Sequence, residues 1–298
     1  MLIADAARLA VQTGVDALTL ASLYALVALG IALIFGVMRL INFAHGDLIM
    51  LGGYAMWALS SQPWPVMVAA TLAAAVTAAL AMERLAFRPA RGAPAATLLI
   101  TSFALSYLIE NVVTAVASAT PRGVVTPPVL SDSIHLGSIR IPVLSMLTVG
   151  IATVLLLLLA LFLRSTSLGI QMRAAAEDFT MARLLGIRAD SVIAAAFAIS
   201  GLLAGAVTLI FVAQTGVVTP TMGLTITLVG FVATVIGGMG RIAGAALGGF
   251  LLGIVTVVLQ QFLPLGLRQY RDAFVFAAVL LMLLIRPQGL LTGHANVE

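Results

Sequence analysis

Long apolar runs separated by short polar or arginine-bearing breaks dominate this chain. A helix that crosses a bilayer needs about 20 mostly apolar residues. Runs of that order occupy 15–38, 41–61, 64–83, 95–118, 142–164, 192–213, 223–239, 242–263 and 273–286. The pattern predicts an all-α, polytopic transmembrane helical bundle of about eight to ten spans, organised as one membrane unit over 1–298. The second run is the weakest and is consistent with a broken or re-entrant segment. Asp5 and Asp16 sit where a secretory signal would carry basic residues, so the first span is expected to act as an uncleaved insertion signal.

Two interruptions are long. The segment 120–141 (TPRGVVTPPVLSDSIHLGSIRI) holds three prolines, and IHLGSIRI alternates about a Gly-Ser pair, which predicts a small surface hairpin. The segment 165–191 is more informative. Within it, Met172, Ala175, Phe179, Ala182 and Leu185 fall on one face at helical spacing, which predicts a short amphipathic helix over 171–185. Arg173, Glu177 and Asp178 flank that face, Gly186 suits a helix C-terminal stop, and Ile187 lies just beyond it. Such a helix either lies on the membrane surface or inserts into a groove on a soluble partner.

Charge sets the orientation. The basic residues number 15 and all are arginine. With nine spans, Arg39, Arg84, Arg88, Arg91, Arg164, Arg173, Arg183, Arg188, Arg241 and Arg286 share one side, which the positive-inside rule makes cytoplasmic. Arg8, Arg122, Arg140, Arg268 and Arg271 fall outside, as does the N-terminus. The bulk composition agrees with a membrane protein: 62% of residues are hydrophobic and 9% charged, with mean hydropathy +1.17. The net charge of +4 is too small and dispersed for nucleic acid. Without lysine there is no P-loop for ATP, and without cysteine no disulfide or thiolate chemistry. HExxH and GxSxG are absent, so no catalytic site, metal or bound cofactor is expected.

A few polar groups interrupt the spans. Ionisable groups there are costly and usually face a cavity or protein. Asn42, His45 and Asp47 open the second run, as a gate or pathway lining near the cytoplasmic end or as capping and packing groups at the interface. His135 and His294 fall in other loops, so His45 is not expected to bind metal. Glu110 lies in the fourth run one turn beyond Ser106, either hydrogen-bonded internally or lining a pathway. Gln214 is a candidate for the outer mouth. Gly46 and Gly53, and Gly240, Gly244 and Gly248 at four-residue spacing, suit close helix packing within the bundle or against a partner. Gly237-Gly238 is a candidate break in the seventh run.

Three stretches carry a resemblance. The loop residues Arg173-Ala174, Glu177-Asp178 and Leu184-Leu185-Gly186-Ile187 are similar to the coupling loop of bacterial ABC importer permeases. INFAHGDLIMLGGY at 41–54 and GGMGRIAGAALGGFLLG at 237–253 resemble the early and late motifs of the branched-chain amino acid permease family, LivH type. The three occur in order along nearly the whole chain.

The resemblance implies a permease subunit of an ABC importer in the bacterial inner membrane. It implies a heterodimer with a second permease, two ABC ATPase subunits that use ATP and Mg, and a periplasmic solute-binding protein that delivers leucine, isoleucine, valine or close analogues. By the same resemblance Arg173, Glu177, Asp178, Ala182, Gly186 and Ile187 would couple to the ATPases. A same-family permease for urea, amides or another small polar solute would look nearly identical. A stand-alone proton-coupled transporter would require buried ionisable pairs and an internal repeat; neither is evident, since Glu110 stands alone in its span.

Overall fold

The computed structural model describes residues 2–136, 139–286 and 289–290. Helix α1 (Leu2–Met38) is the hub. It begins well before residue 15 because Ala, Leu, Arg and Gln fill its first turns and no proline interrupts them. Ala21, Leu26, Ala28, Leu29, Ala32 and Ile34 on it are fully buried. After it come α2 (His45–Ala58), α3 (Trp64–Met82), α4 (Ala95–Ala117) and α5 (Val143–Ser165). Beyond the 165–191 loop come α8 (Ala189–Thr215), α9 (Met222–Gly237), α10 (Ile242–Phe262) and α11 (Arg271–Ile285). α1 and α8 are mostly buried, whereas α3, α4 and α5 expose most of their surface to lipid or a partner.

Six helices among the described residues are long and apolar enough to cross a membrane: α1, α3, α4, α5, α8 and α10. The other predicted spans are shorter. α2 has 14 residues, a length of about 21 Å against a hydrocarbon core of about 30 Å. The second run is therefore helical only from His45; residues 39–44 are not helical. α3 continues into a π-helical turn, Glu83–Phe87. That wider turn buries both Glu83 and Phe87, the latter against Phe197 of α8 at 5.4 Å.

The 165–191 segment corrects the single helix expected over 171–185. It forms two helices, α6 (Ser167–Glu177) and α7 (Phe179–Leu184). Asp178 is extended and its carboxylate accepts the Met181 backbone N–H at 2.9 Å, so it starts α7 as an N-cap instead of continuing α6.

At the opposite end, β1 (Arg122–Gly123) pairs with β4 (Val217–Val218), and β2 (Ser133–Leu136) pairs antiparallel with β3 (Ile139–Pro142). The predicted hairpin is thus present, and its Gly137-Ser138 turn lies outside the described residues. So does His294.

Glycines set how closely the helices approach. A Cβ on Gly249 would fall 2.6 Å from the Ala25 Cα of α1, and one on Gly253 would strike the Ala21 backbone. Gly244 and Gly248 of α10 rest on Gly237 and Ala233 of α9. Gly240 is a correction: it lies in the turn between α9 and α10 at φ +92°, off the packing face, beside the Arg39 guanidinium.

Candidate functional site

Two places concentrate polar groups. The first is the break ahead of α2. Gly30 of α1 lies against His45 and is eight residues before Met38, so α2 begins about 12 Å inside the arginine-rich end of α1. Residues 40–44 reach that depth without helical hydrogen bonds, so their backbone groups need other partners. Asn42 Oδ1 accepts the Ala44 N–H at 3.1 Å. Ser102 Oγ of α4 accepts the Phe43 N–H at 3.3 Å and lies 3.3 Å from the Ile41 carbonyl oxygen. Phe43 stacks on Phe103 with ring centroids 4.1 Å apart.

Asn42, His45 and Asp47 are all buried. The interfacial position allowed for His45 and Asp47 is therefore corrected: protein surrounds them. Asn42 precedes the helix, so it shares no helical face with His45. His45 and Asp47 point to different neighbours. Ser200 Oγ of α8 donates to the Gly30 carbonyl at 2.9 Å and lies 3.1 Å from His45 Nδ1. A hydroxyl has one proton, so when Ser200 gives it to the Gly30 carbonyl it accepts from the ring nitrogen. That pairing fits the tautomer with the proton on Nδ1, and His45 Nε2 has no partner among the described residues.

Asp47 faces α4. Ser106 of α4 is buried as well, and Glu110, one turn further along α4, is half-buried. Ser102, Ser106 and Glu110 recur every fourth residue, so they form one polar line on α4 facing the break. Asp47 Oδ2 and Asn42 Nδ2 have no partner among the described residues. Gly46 rests on Gly223 and Thr227 of α9, and Gly53 on Val218 and Met222.

The second place is the arginine-rich end. Met172, Ala175 and Ala182 are buried, and Phe179 and Ile187 are half-buried. Leu185 does not join that face: it is 78% exposed, beside Met181 and Leu184, also exposed. Arg173, Glu177, Asp178 and Gly186 are exposed as well. Gly186 adopts φ +87°, and Ile187 N–H returns to the Ala182 carbonyl at 3.1 Å, closing α7. Arg39, itself at φ +53°, donates from Nη2 to the Ala176 carbonyl at 2.9 Å. One side chain thus ties α6 to the end of α1 and to the Gly240 turn. Beside them, Arg88 and Arg91 both pair with Asp190 at the start of α8, and Arg91 also pairs with buried Glu83.

Gln214 is exposed at the other end, near Asp16, Thr19 and Ser145 around a cavity of about 330 Å³. It does not join the α2 break. The arrangement therefore has two halves, a buried polar break midway through the bundle and an exposed elbow at one end, with α1 and α8 running between them. Sequence reasoning passed over Phe43, Ser102, Ser200 and Arg39. For Ser102 the signal was its four-residue spacing from Ser106 and Glu110. The others look like ordinary apolar or flanking residues.

Comparisons with known proteins converge. A family described as branched-chain amino acid transport system / permease component matches residues 14–284. The high-affinity branched-chain amino acid transport system permease protein BraD of Pseudomonas aeruginosa is 35% identical over 96% of this chain and 97% of its own. The corresponding protein LivH of Escherichia coli is 32% identical over 95% of both chains. The autoinducer 2 import system permease protein LsrC of Yersinia pseudotuberculosis is 33% identical over 50% of this chain and 44% of its own. No solved structure matches.

Proposed function

Because this chain belongs to the family of branched-chain amino acid transport permeases, we propose that it is the membrane-embedded permease subunit of an ATP-driven importer for leucine, isoleucine, valine or close analogues. In this reading it sits in the bacterial inner membrane beside a second permease. Two ATPases bind ATP and Mg and dock on its cytoplasmic side, and a periplasmic binding protein delivers the solute. The chain itself is a conduit and not an enzyme.

The observation that carries the reading is the α6–α7 elbow. Its Met181, Leu184 and Leu185 form an exposed apolar edge, suited to a groove on a soluble partner. Its other face is held to the bundle by buried Met172, Ala175 and Ala182 and by Arg39. A partner that pushes the elbow therefore pushes the end of α1, the Gly240 turn and the start of α8. Those elements flank the α2 break, so displacement at the cytoplasm changes packing midway through the membrane.

The test is purification of the tagged full-length protein from its native membrane with gentle extraction. ATPases and a second permease should co-purify, and replacing Glu177 or Gly186 should release the ATPases while the protein stays folded. Reconstituted uptake of labelled leucine should require ATP and compete with isoleucine and valine; competition by urea or amides would reassign the solute. A lone protein whose uptake follows pH and ignores ATP would overturn the proposal. One observation favours that second reading, proton-coupled transport: Asp47 is a buried carboxylate within the bundle whose Oδ2 has no partner among the described residues.

A further inference from the structure

We propose that the cleft between the π-helical end of α3 and the start of α8 binds the phosphodiester of an anionic phospholipid from the leaflet on the arginine-rich side. The site is independent of which solute the protein carries.

Depth comes first. The apolar stretch Trp64–Phe87 is long enough to cross a membrane, and Arg84 lies 20 residues along it. At the helical rise that is about 30 Å, the full thickness of the hydrocarbon core. Arg84 therefore sits where acyl chains give way to headgroups, and Arg88, one turn on, reaches the level of the phosphates.

A cavity of about 540 Å³ opens at that level, lined by Leu80, Glu83, Arg84, Arg88, Asp190 and Ser191 among others. Its size is that of a pocket for a small ligand or a headgroup. Arg84 and Arg88 both line it, while Phe87 of the same π-helical turn packs inward on Phe197.

Charge selects the ligand. Arg91 pairs with Glu83 and Asp190, and Arg88 Nη2 pairs with Asp190 at 2.6 Å. Both carboxylates are thus already matched. Arg84 makes no ion pair or hydrogen bond among the described residues, Arg88 keeps Nε and Nη1 free, and the Ser191 hydroxyl has no partner there. Three guanidiniums face two carboxylates, which leaves one positive charge for an anion. Guanidinium N–H groups match phosphate oxygens in geometry as well as charge. α8 opens beside them without a side-chain cap, so its first N–H groups add to the positive field.

Shape selects the source. A free phosphate would use only the polar wall. Leu80, Ala81 and Ala194 form an apolar wall opposite the charges. That wall continues onto exposed Leu85 and the largely exposed flank of α3. A phospholipid presents phosphate and then acyl chain in the same order. Basic pockets between spans on the cytoplasmic side are suited to anionic headgroups. A zwitterionic head would bring an ammonium whose counter-charges are the two carboxylates already paired. The bound phosphate ties the end of α3 to the start of α8, four residues beyond the end of the α6–α7 elbow.

The test counts bound lipid. Full-length protein, with the subunits that co-purify, is freed of native lipid in detergent. It is then offered equal amounts of phosphatidylglycerol and phosphatidylcholine with the same acyl chains, and native mass spectrometry reads the adducts. Wild type should prefer phosphatidylglycerol by about tenfold. Arg84→Gln removes the unpaired guanidinium, breaks no contact, and should abolish most of that preference. Arg164→Gln, exposed at the arginine-rich end of α5, removes the same charge away from the cleft and should keep it. Ala81→Trp, at an exposed position, fills the cleft without changing charge and should lower the preference as far as Arg84→Gln does. All variants are compared at equal folded yield, and excess inorganic phosphate should not displace the lipid. Equal binding of the two lipids, equal loss in Arg84→Gln and Arg164→Gln, or an unaffected Ala81→Trp overturns the proposal and leaves only diffuse attraction to an arginine-rich surface. Displacement by inorganic phosphate also overturns it and makes the cleft a site for a soluble anion.

Discussion

Gly46→Ala isolates the contact that holds the broken second span in place. A Cβ at Gly46 would run into the Gly223 carbonyl oxygen and the Thr227 hydroxyl of α9, and a Cβ at Gly223 would fall 2.5 Å from the Gly46 carbonyl oxygen. The obstacle at Gly46 includes backbone, which cannot rotate away, so α2 and α9 must separate. Overpacking of a close-packed interior costs about 1–3 kcal/mol, and separation here also loosens the neighbouring contacts of Gly53 with Val218 and Met222. Against this, alanine in a helix gains up to about 1 kcal/mol over glycine. The net loss is about 0–3 kcal/mol, toward the upper part of that range because the obstacle is backbone. Gly150→Ala provides the control, because Gly150 is exposed on α5 with nothing within 4 Å of a Cβ. It retains only the propensity gain. Heating detergent-solubilised protein and measuring the monodisperse fraction should rank Gly150→Ala at or above wild type and Gly46→Ala clearly below it. The double variant Gly46→Ala/Gly223→Ala should lose less than the sum of the singles, since both changes force the same separation of α2 and α9. A Gly46→Ala protein as heat-resistant as the Gly150→Ala protein would refute the assigned contact.

Other changes probe separate links. Ser200→Ala removes the hydroxyl that partners His45 Nδ1 in a fully buried place, a cost of about 1–3 kcal/mol; the same heating assay should show it, and a Ser200→Thr variant that keeps the hydroxyl should recover part of the loss. Gly186→Val forces a β-branched residue to φ +87°, costing about 1–2 kcal/mol locally. It should weaken ATPase co-purification far more than it lowers the heat resistance of the bundle, and equal losses would contradict a local role. Arg39→Ala removes the bond to the Ala176 carbonyl. ATP hydrolysis should continue while solute uptake per ATP falls, whereas unchanged uptake per ATP would show that the tether transmits nothing.

Composition and periodicity made the membrane architecture legible. An apolar run of sufficient length in a bilayer has few alternatives to helix, so α3, α4, α5, α8 and α10 lie close to their predicted positions. The hairpin near 133–142 was legible from its alternation, and the Gly186 stop from the conformational demand at a helix C-terminus. The Asp178 break was missed because an acidic residue next to phenylalanine is compatible with an amphipathic helix. Only the return of its side chain to the Met181 N–H marks it as a cap.

The local chain thus determined which segments prefer lipid, which end collects arginine, and which loop carries an apolar edge. It did not determine where the second span starts to coil. Leu40, Ile41, Phe43 and Ala44 suit a helix by composition, and their non-helical path is met by Ser102 of a distant helix at Phe43 and Ile41 and by Asn42 at Ala44. Nor did it determine that Asp47 is enclosed by protein, or that His45 meets Ser200. Periodicity describes the face a residue shares with its chain neighbours. Which face meets which is decided by the close approach of glycine-bearing helices, and that approach exists only once the bundle has packed.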